Sequence, residues 1–217
     1  MDSNRRIVMD VCEAIRKRRS IRKFKPDPIP EDKIRLLLES ARLAPSGTNT
    51  QPWRFIVVKD DNTKRKLQEA AHNQRHVRRA PVIIACCADL KAFKEFSKRV
   101  DELINSGALP ERTRDVFIPY LEKGMDTVKK QDLITAAAAN VSIAVEHMVL
   151  QAVELGLGTC WVRWYDDNKV KEILNIPDFV EVIALMPVGV PDEDPGQRPR
   201  LSIDKIAYSE KYGERYT

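Results

Sequence analysis

Apolar positions first recur at helical spacing over residues 8–18, where Val8, Val11, Cys12 and Ile15 share one face. That run leads into a basic segment, RKRRSIRKFK, and Pro26, Pro28 and Pro30 then bar any helix. Over residues 31–43 the helical pattern returns. Ile34, Leu37, Leu38 and Ala41 stand at i, i+3, i+4 and i+7, and Glu31 and Asp32 occupy the first turn, where carboxylates complement the positive helix end. A polar loop, PSGTNTQP, follows Ala44. Residues 53–58 then form a β-rich run closed by the turn-prone Asp60, Asp61 and Asn62. Residues 64–71 read as a helix, and residues 82–88 as a second, wholly apolar strand between Pro81 and Asp89.

From 91 to 130 the chain is charged and helix-favouring, interrupted near Asn105, Gly107 and Pro110, which predicts two surface or lid helices inserted in the fold. Residues 132–155 are apolar around most of the helix circumference, with Asn140, His147, Gln151 and Glu154 near one stripe, so this element is expected to be buried on several sides. Gly156 and Gly158 stop it. A third strand is expected at 160–165, a helix at 168–174, and a fourth strand at 180–188 ending in PVGVP. Residues 192–217, rich in Pro and charge, read as an extended arm. Few strands separated by long helical stretches argue for an α/β or α+β sandwich with a mixed sheet, in a single domain spanning 1–217.

Composition alters this picture in one place. The chain of 217 residues carries 37 Lys and Arg against 32 Asp and Glu, a net charge of +5 that alone would suggest a polyanionic partner. Nine of those cations but only three of the acids fall in residues 1–25, so the other 192 residues hold 28 basic and 29 acidic side chains. The excess is one local feature: Arg5, Arg6, Arg16, Lys17, Arg18, Arg19, Arg22, Lys23 and Lys25. With 43% hydrophobic residues the chain is expected to be globular rather than disordered or fibrous. The N-terminal MDSNRRIVMDV has no apolar signal core, no apolar run approaches the roughly 20 residues that span a bilayer, and neither a membrane nor nucleic acid is expected as a partner. Cys12, Cys86, Cys87 and Cys160 have no CxxC or metal-type spacing, which fits reduced thiols in a cytoplasm.

Several segments could carry chemistry. Arg18, Arg19 and Arg22 offer forked cationic donors and Ser20 a hydroxyl, a set suited to phosphate oxygens. The same cluster also reads as a solvated basic helix end. Neither GxGxxG nor GxxxxGK[ST] occurs, so no Rossmann-type nucleotide loop is present. His72 and His76 could meet on one helix face but lack an acidic third ligand, and no metal site is expected. The hydroxyls and amides of Ser46, Thr48, Asn49, Thr50 and Gln51 suit the edge of a flat heteroaromatic ligand, or an ordinary loop.

Taken in order, RRSIRKF, LLESARLAPSGTNTQPWRF, LGLGTCWV, PVGVP and RPR resemble the motifs of the FMN-dependent nitroreductase family across nearly the whole chain. The resemblance implies an α+β, three-layer α-β-α sandwich with a mostly antiparallel central sheet, and a C-terminal arm exchanged in a homodimer with FMN at its interface. It implies that Arg18, Ser20 and Arg22, with Arg19 close by, hold the FMN phosphate, and that Arg200 and Arg198 return to it from the arm. Pro45, Ser46, Gly47, Asn49 and Gln51 would face a flavin bound mainly by the partner chain. Asn73 would meet the pyrimidine edge, with His76 near a position often basic, and Trp161, Val162, Arg163 and Trp164 would run beside the ring. Arg163 and Trp164 depart from the small residues or Glu-Gly pair common there, which narrows the pocket or brings a cation to the flavin.

The implied activity is a ping-pong NAD(P)H oxidoreductase in which FMN, reduced by NADH or NADPH, passes hydride from N5 to a small aromatic or quinone-like oxidant. No side chain need act as a catalytic acid or nucleophile. The alternatives are a specialised branch that removes halogen from an aromatic or fragments the flavin, and a basic nucleic-acid-binding module. The segment charge count speaks against the latter.

Overall fold

The computed structural model describes residues 9–125 and 127–216. Val8, Arg5 and Arg6 therefore lie outside the described residues. The helices are α1 (Val11–Lys17), α2 (Glu31–Arg42), α3 (Asp61–Ala70), α4 (Arg75–Arg79), α5 (Phe96–Asn105), α6 (Thr113–Met125), α7 (Lys130–Glu154) and α8 (Asp167–Leu174). Strands β1 (Trp53–Val58), β2 (Val82–Asp89), β3 (Gly158–Thr159) and β4 (Val180–Gly189) form one sheet in the order β1-β2-β4-β3.

All three pairings are antiparallel, so the mixed sheet expected from the element pattern is replaced by the antiparallel one that the resemblance implied. The central strand β2 is buried along nearly its whole length because both of its faces are covered, which is why its sequence is apolar without alternation. Val82, Ile84, Cys86 and Ala88 face a core completed by α2 and α7. Ile83, Ala85 and Cys87 face a second core built from α3, α4 and α8, with Leu67, Val77 and Val170 fully buried. These two cores on either side of one sheet make the three layers. A bulge opposite Cys86 and Cys87 leaves Ile183 of β4 unpaired, so Ile183 and Ala184 both turn toward the α2–α7 core.

Three sequence expectations are corrected. In α1 only Ala14 is buried, while Val11 and Ile15 are 68% and 56% exposed, so the supposed core face points outward. The third strand is only Gly158–Thr159, followed by a single bridge from Val162 to Leu185, after which the chain leaves the sheet edge. Helix α7 is long and apolar enough to cross a bilayer, contrary to the reading that no run approaches that length. It serves here as a core helix, with Val141, Ala144, Val145 and Met148 sealed against α2 and the sheet. The segment from 91 to 130 does hold two helices, α5 and α6, separated by Ser106–Arg112, and α6, which runs unbroken through Pro119, buries none of its described residues. Residues 192–216 form an extended arm with one short 3₁₀ turn.

Candidate functional site

The basic segment is fixed by the backbone. Ile21 donates its N–H to the Thr159 carbonyl and Lys25 to that of Val190, so residues 20–25 lie against the ends of β3 and β4. This close approach requires glycine on the sheet side: a Cβ on Gly158 would come within 2.5 Å of the Ile21 side chain, and one on Gly189 within 2.8 Å of Phe24. The arm then closes over the segment. Glu193 accepts the backbone N–H groups of Arg22 and Lys23, and Arg19 donates to the Pro195 carbonyl at 3.2 Å.

The result is a cleft of ≈ 540 Å³ in which Arg18, Arg19, Ser20, Arg22, Arg198 and Arg200 meet, four from the start of the chain and two from its end. Arg19 is committed to backbone carbonyls of Arg16, Arg18 and Pro195 and so braces the cleft. Among the described residues Arg18, Arg22, Arg198 and Arg200 make no ion pair. Converging guanidinium groups without carboxylate partners repel one another and are matched by an anion bearing several acceptor oxygens.

Residues 160–164 run past the same region. The Val162 side chain is buried and its N–H is bonded to the Leu185 carbonyl, so Val162 belongs to the core and presents no side chain to a ligand. Arg163 and Trp164 are exposed, and among the described residues their backbone N–H groups have no acceptor. The turn before α4 supports them: His72 stacks on Trp164 at 4.5 Å between ring centroids, and Gln74 donates to the Trp164 carbonyl at 2.8 Å. Asn73, with φ of 59°, sits exposed in that turn. His72 thus precedes α4, which carries His76, and the two imidazoles do not share a helix face. His76 is half-buried and among the described residues its Nε2 has no hydrogen-bond partner; burial, then the Arg22 charge, lowers its pKa. Burial likewise pushes the Cys160 thiol up, which makes it inert packing rather than a nucleophile.

The loop at 45–51 is placed elsewhere. Thr48, Asn49 and Gln51 all have positive φ, a strained conformation for side-chain-bearing residues. The strain is held by local bonds: the Gln51 N–H donates to Ser46 Oγ at 3.0 Å, and the Gly47 N–H donates to Asn140 Oδ1 of α7 at 3.2 Å. Pro45 and Gly47 are exposed, and Ser46, Asn49 and Gln51 half-buried. Thr48, together with Gly47 and Thr50, opens onto an apolar cavity of ≈ 710 Å³ walled by Phe93, Phe96, Tyr120 and Met125 beneath α6.

Asn140 anchors this loop, whereas Val153, further along α7, lines a cleft with Arg19. At about 1.5 Å rise per residue those positions lie about 20 Å apart. One chain therefore brings the cationic cleft, Asn73 and residues 161–164 together near the C-terminal end of α7, and leaves the 45–51 loop beside the middle of that helix. Sequence reasoning missed Glu193, Gln74 and the anchoring role of Asn140. Only Asn140 carried a signal, as a polar interruption of the apolar helix.

Comparison with known proteins accords with this geometry. The chain is 35% identical over 199 residues to a protein named NADH dehydrogenase from Thermus thermophilus, covering 92% of this chain and 95% of that one. It is 29% identical to an FMN reductase (NADPH) from Bacillus subtilis, over 94% of this chain and 74% of the relative. A crystal structure from Exiguobacterium sibiricum, described as a nitroreductase in complex with FMN, superposes with a TM-score of 0.82 at 27% identity, covering 93% of this chain and 98% of the other. With residues 15–190 matching the nitroreductase family as a unit, and the α+β sandwich in agreement, this chain belongs to that family.

Proposed function

We propose that the protein is an FMN-dependent NAD(P)H oxidoreductase that works as a homodimer. One observation carries the reading: four guanidinium groups with no ion-pair partner among the described residues meet beside Ser20 in a single cleft. That donor set fits a phosphate monoester. Arg18, Ser20, Arg22, Arg198 and Arg200 hold the FMN phosphate, and Arg19 keeps the arm in place. The unpaired N–H groups of Arg163 and Trp164 and the amide of Asn73 take the polar edge of the ring. Bound FMN supplies hydride acceptance from NADH or NADPH and donation to an oxidant. Arg163, on the segment that runs beside the ring, would supply a cation for negative charge there.

In the dimer, two α7 helices lie antiparallel across a two-fold axis, so the 45–51 loop of one protomer covers the flavin held by the other. The uncovered apolar positions Ala136, Ala139 and Ile143 on α7 and Leu36 and Leu43 on α2 support this arrangement. So does the arm, where Leu201, Ile203 and Ile206 are each about 60% exposed and an exchange between protomers would bury them. The apolar cavity beside Thr48 receives the oxidant, a small aromatic or quinone-like molecule, after the oxidised nicotinamide has left. Anaerobic titration of FMN-loaded protein is the test. Bleaching of the flavin absorbance by NADH or NADPH, and its return on adding a benzoquinone, is expected; an unbleached spectrum with both nucleotides overturns the reading.

A further inference from the structure

The cleft between α3 and α4 has no part in the reading above. It measures ≈ 540 Å³, shares no residue with the Arg18–Arg22 cleft, and is lined by Asp61, Lys64, Gln68, Arg75, Arg78 and Arg79. Lys64 is only 8% exposed. Its Nζ donates to the Ala80 carbonyl at 3.0 Å, which uses one of three donors, and among the described residues no carboxylate lies within ion-pair distance of it. A buried ammonium without a counter-ion is unfavourable unless an anion joins it.

The charges around it are one-sided. Asp61 is occupied by Arg78 at 2.8 Å. Arg75 and Arg79 are exposed and, among the described residues, form neither an ion pair nor a side-chain hydrogen bond. Lys64, Arg75 and Arg79 thus line one cleft whose single carboxylate among the described lining residues, Asp61, is bonded to Arg78 and feels the Lys64 charge only at a distance, an excess of cations. A monocarboxylate would neutralise one and leave two. A nucleic-acid strand needs a continuous basic face, which Asp60, Asp61 and Glu69 on the same helix interrupt.

We propose that this cleft binds a small phosphate-bearing anion of the diphosphate or phosphate-ester type, with Lys64 at its floor and Arg75 and Arg79 at its rim. Gln68 adds an amide donor. The anion is an effector or substrate fragment separate from the FMN phosphate.

The test is thermal denaturation of FMN-saturated protein titrated with sodium pyrophosphate, against sodium chloride at matched ionic strength. A saturable rise in Tm beyond the chloride control is expected. The Arg75→Ala/Arg79→Ala variant should bind pyrophosphate at least about tenfold more weakly, since each lost charge-assisted bond is worth roughly that factor. Lys64→Met, which keeps volume without charge, should abolish the rise. No rise over chloride overturns the proposal, as does an unchanged midpoint in the double variant. Release of FMN into the filtrate on adding pyrophosphate also overturns it, since the anion would then be acting at Arg18–Arg22. If Lys64→Met does not fold, the double variant decides alone, because both of its positions are exposed.

Discussion

Individual side chains at the cationic cleft have separable tasks. Among the described residues Arg18 and Arg22 have no carboxylate partner to lose, so truncating either removes attraction for the ligand without leaving a buried charge. Arg18→Ala or Arg22→Ala should weaken FMN retention by about 1.5–3 kcal/mol, the worth of hydrogen bonds to charged groups. Turnover at saturating FMN should change far less. Equilibrium dialysis beside steady-state rates separates the two, and unchanged retention in both variants would remove this account of the basic segment. His76 gives a pH prediction. Burial and then the Arg22 charge hold its pKa below the ordinary 6.5, so the folded protein binds that proton less readily than the unfolded chain. Unfolding then takes up a proton as the pH falls through about 6.5, and stability falls with it. Urea midpoints from pH 8 to 5 should decline in the wild type and decline less in His76→Gln; parallel curves would assign the pH dependence to other groups.

At the scale of elements, the site depends on how closely residues 20–25 lie on the sheet edge. Gly189→Ala places a methyl 2.7 Å from Pro81 and 2.8 Å from Phe24, and neither neighbour is the free end of a flexible chain. The substitution should cost about 1–3 kcal/mol in stability and weaken FMN binding, because the segment carrying Arg22 must shift. Calorimetry together with FMN titration tests both halves; a destabilised variant with wild-type FMN affinity would show that the cleft does not depend on this packing. The same element explains what the sequence made legible. β1, β2 and β4 were readable because burial on one or both faces writes itself into composition, and α2 because its apolar stripe faces a single core. The outward face of α1 misled, since Val11 and Ile15 satisfy helical periodicity whether they meet this chain's core or a partner's surface. The short β3 and the departure of the chain from β4 after Val162 are set by register against β4, a tertiary effect with no local signature. Arg18 to Arg22 could be found as a charge cluster. Glu193 and Gln74 act through backbone groups far away in sequence, and nothing in their neighbourhoods announces it.

At the scale of the whole molecule, α7 sets the distance between the two parts of the site. Of its 25 residues, Asn140 near the middle holds the 45–51 loop and Val153 near the C-terminus lines a cleft with Arg19, and a rigid helix keeps those two positions about 20 Å apart. In the proposed dimer, a flavin bound at the cationic cleft is covered by the 45–51 loop of the second copy. Ile143, 40% exposed on the uncovered stripe of α7, is the place to test this, because a charge there is harmless to a solvated monomer and costly in a packed interface. Ile143→Asp should shift the protein from dimer to monomer in sedimentation velocity while its far-ultraviolet circular dichroism is preserved. FMN affinity should fall by about tenfold or more with the loss of the partner's loop contacts, and quinone reduction should fall with it. A monomeric variant that keeps wild-type FMN affinity and turnover would mean that each chain carries a whole site. The strained φ values at Thr48, Asn49 and Gln51 would then be a local feature of the loop rather than a surface prepared for another protomer's flavin.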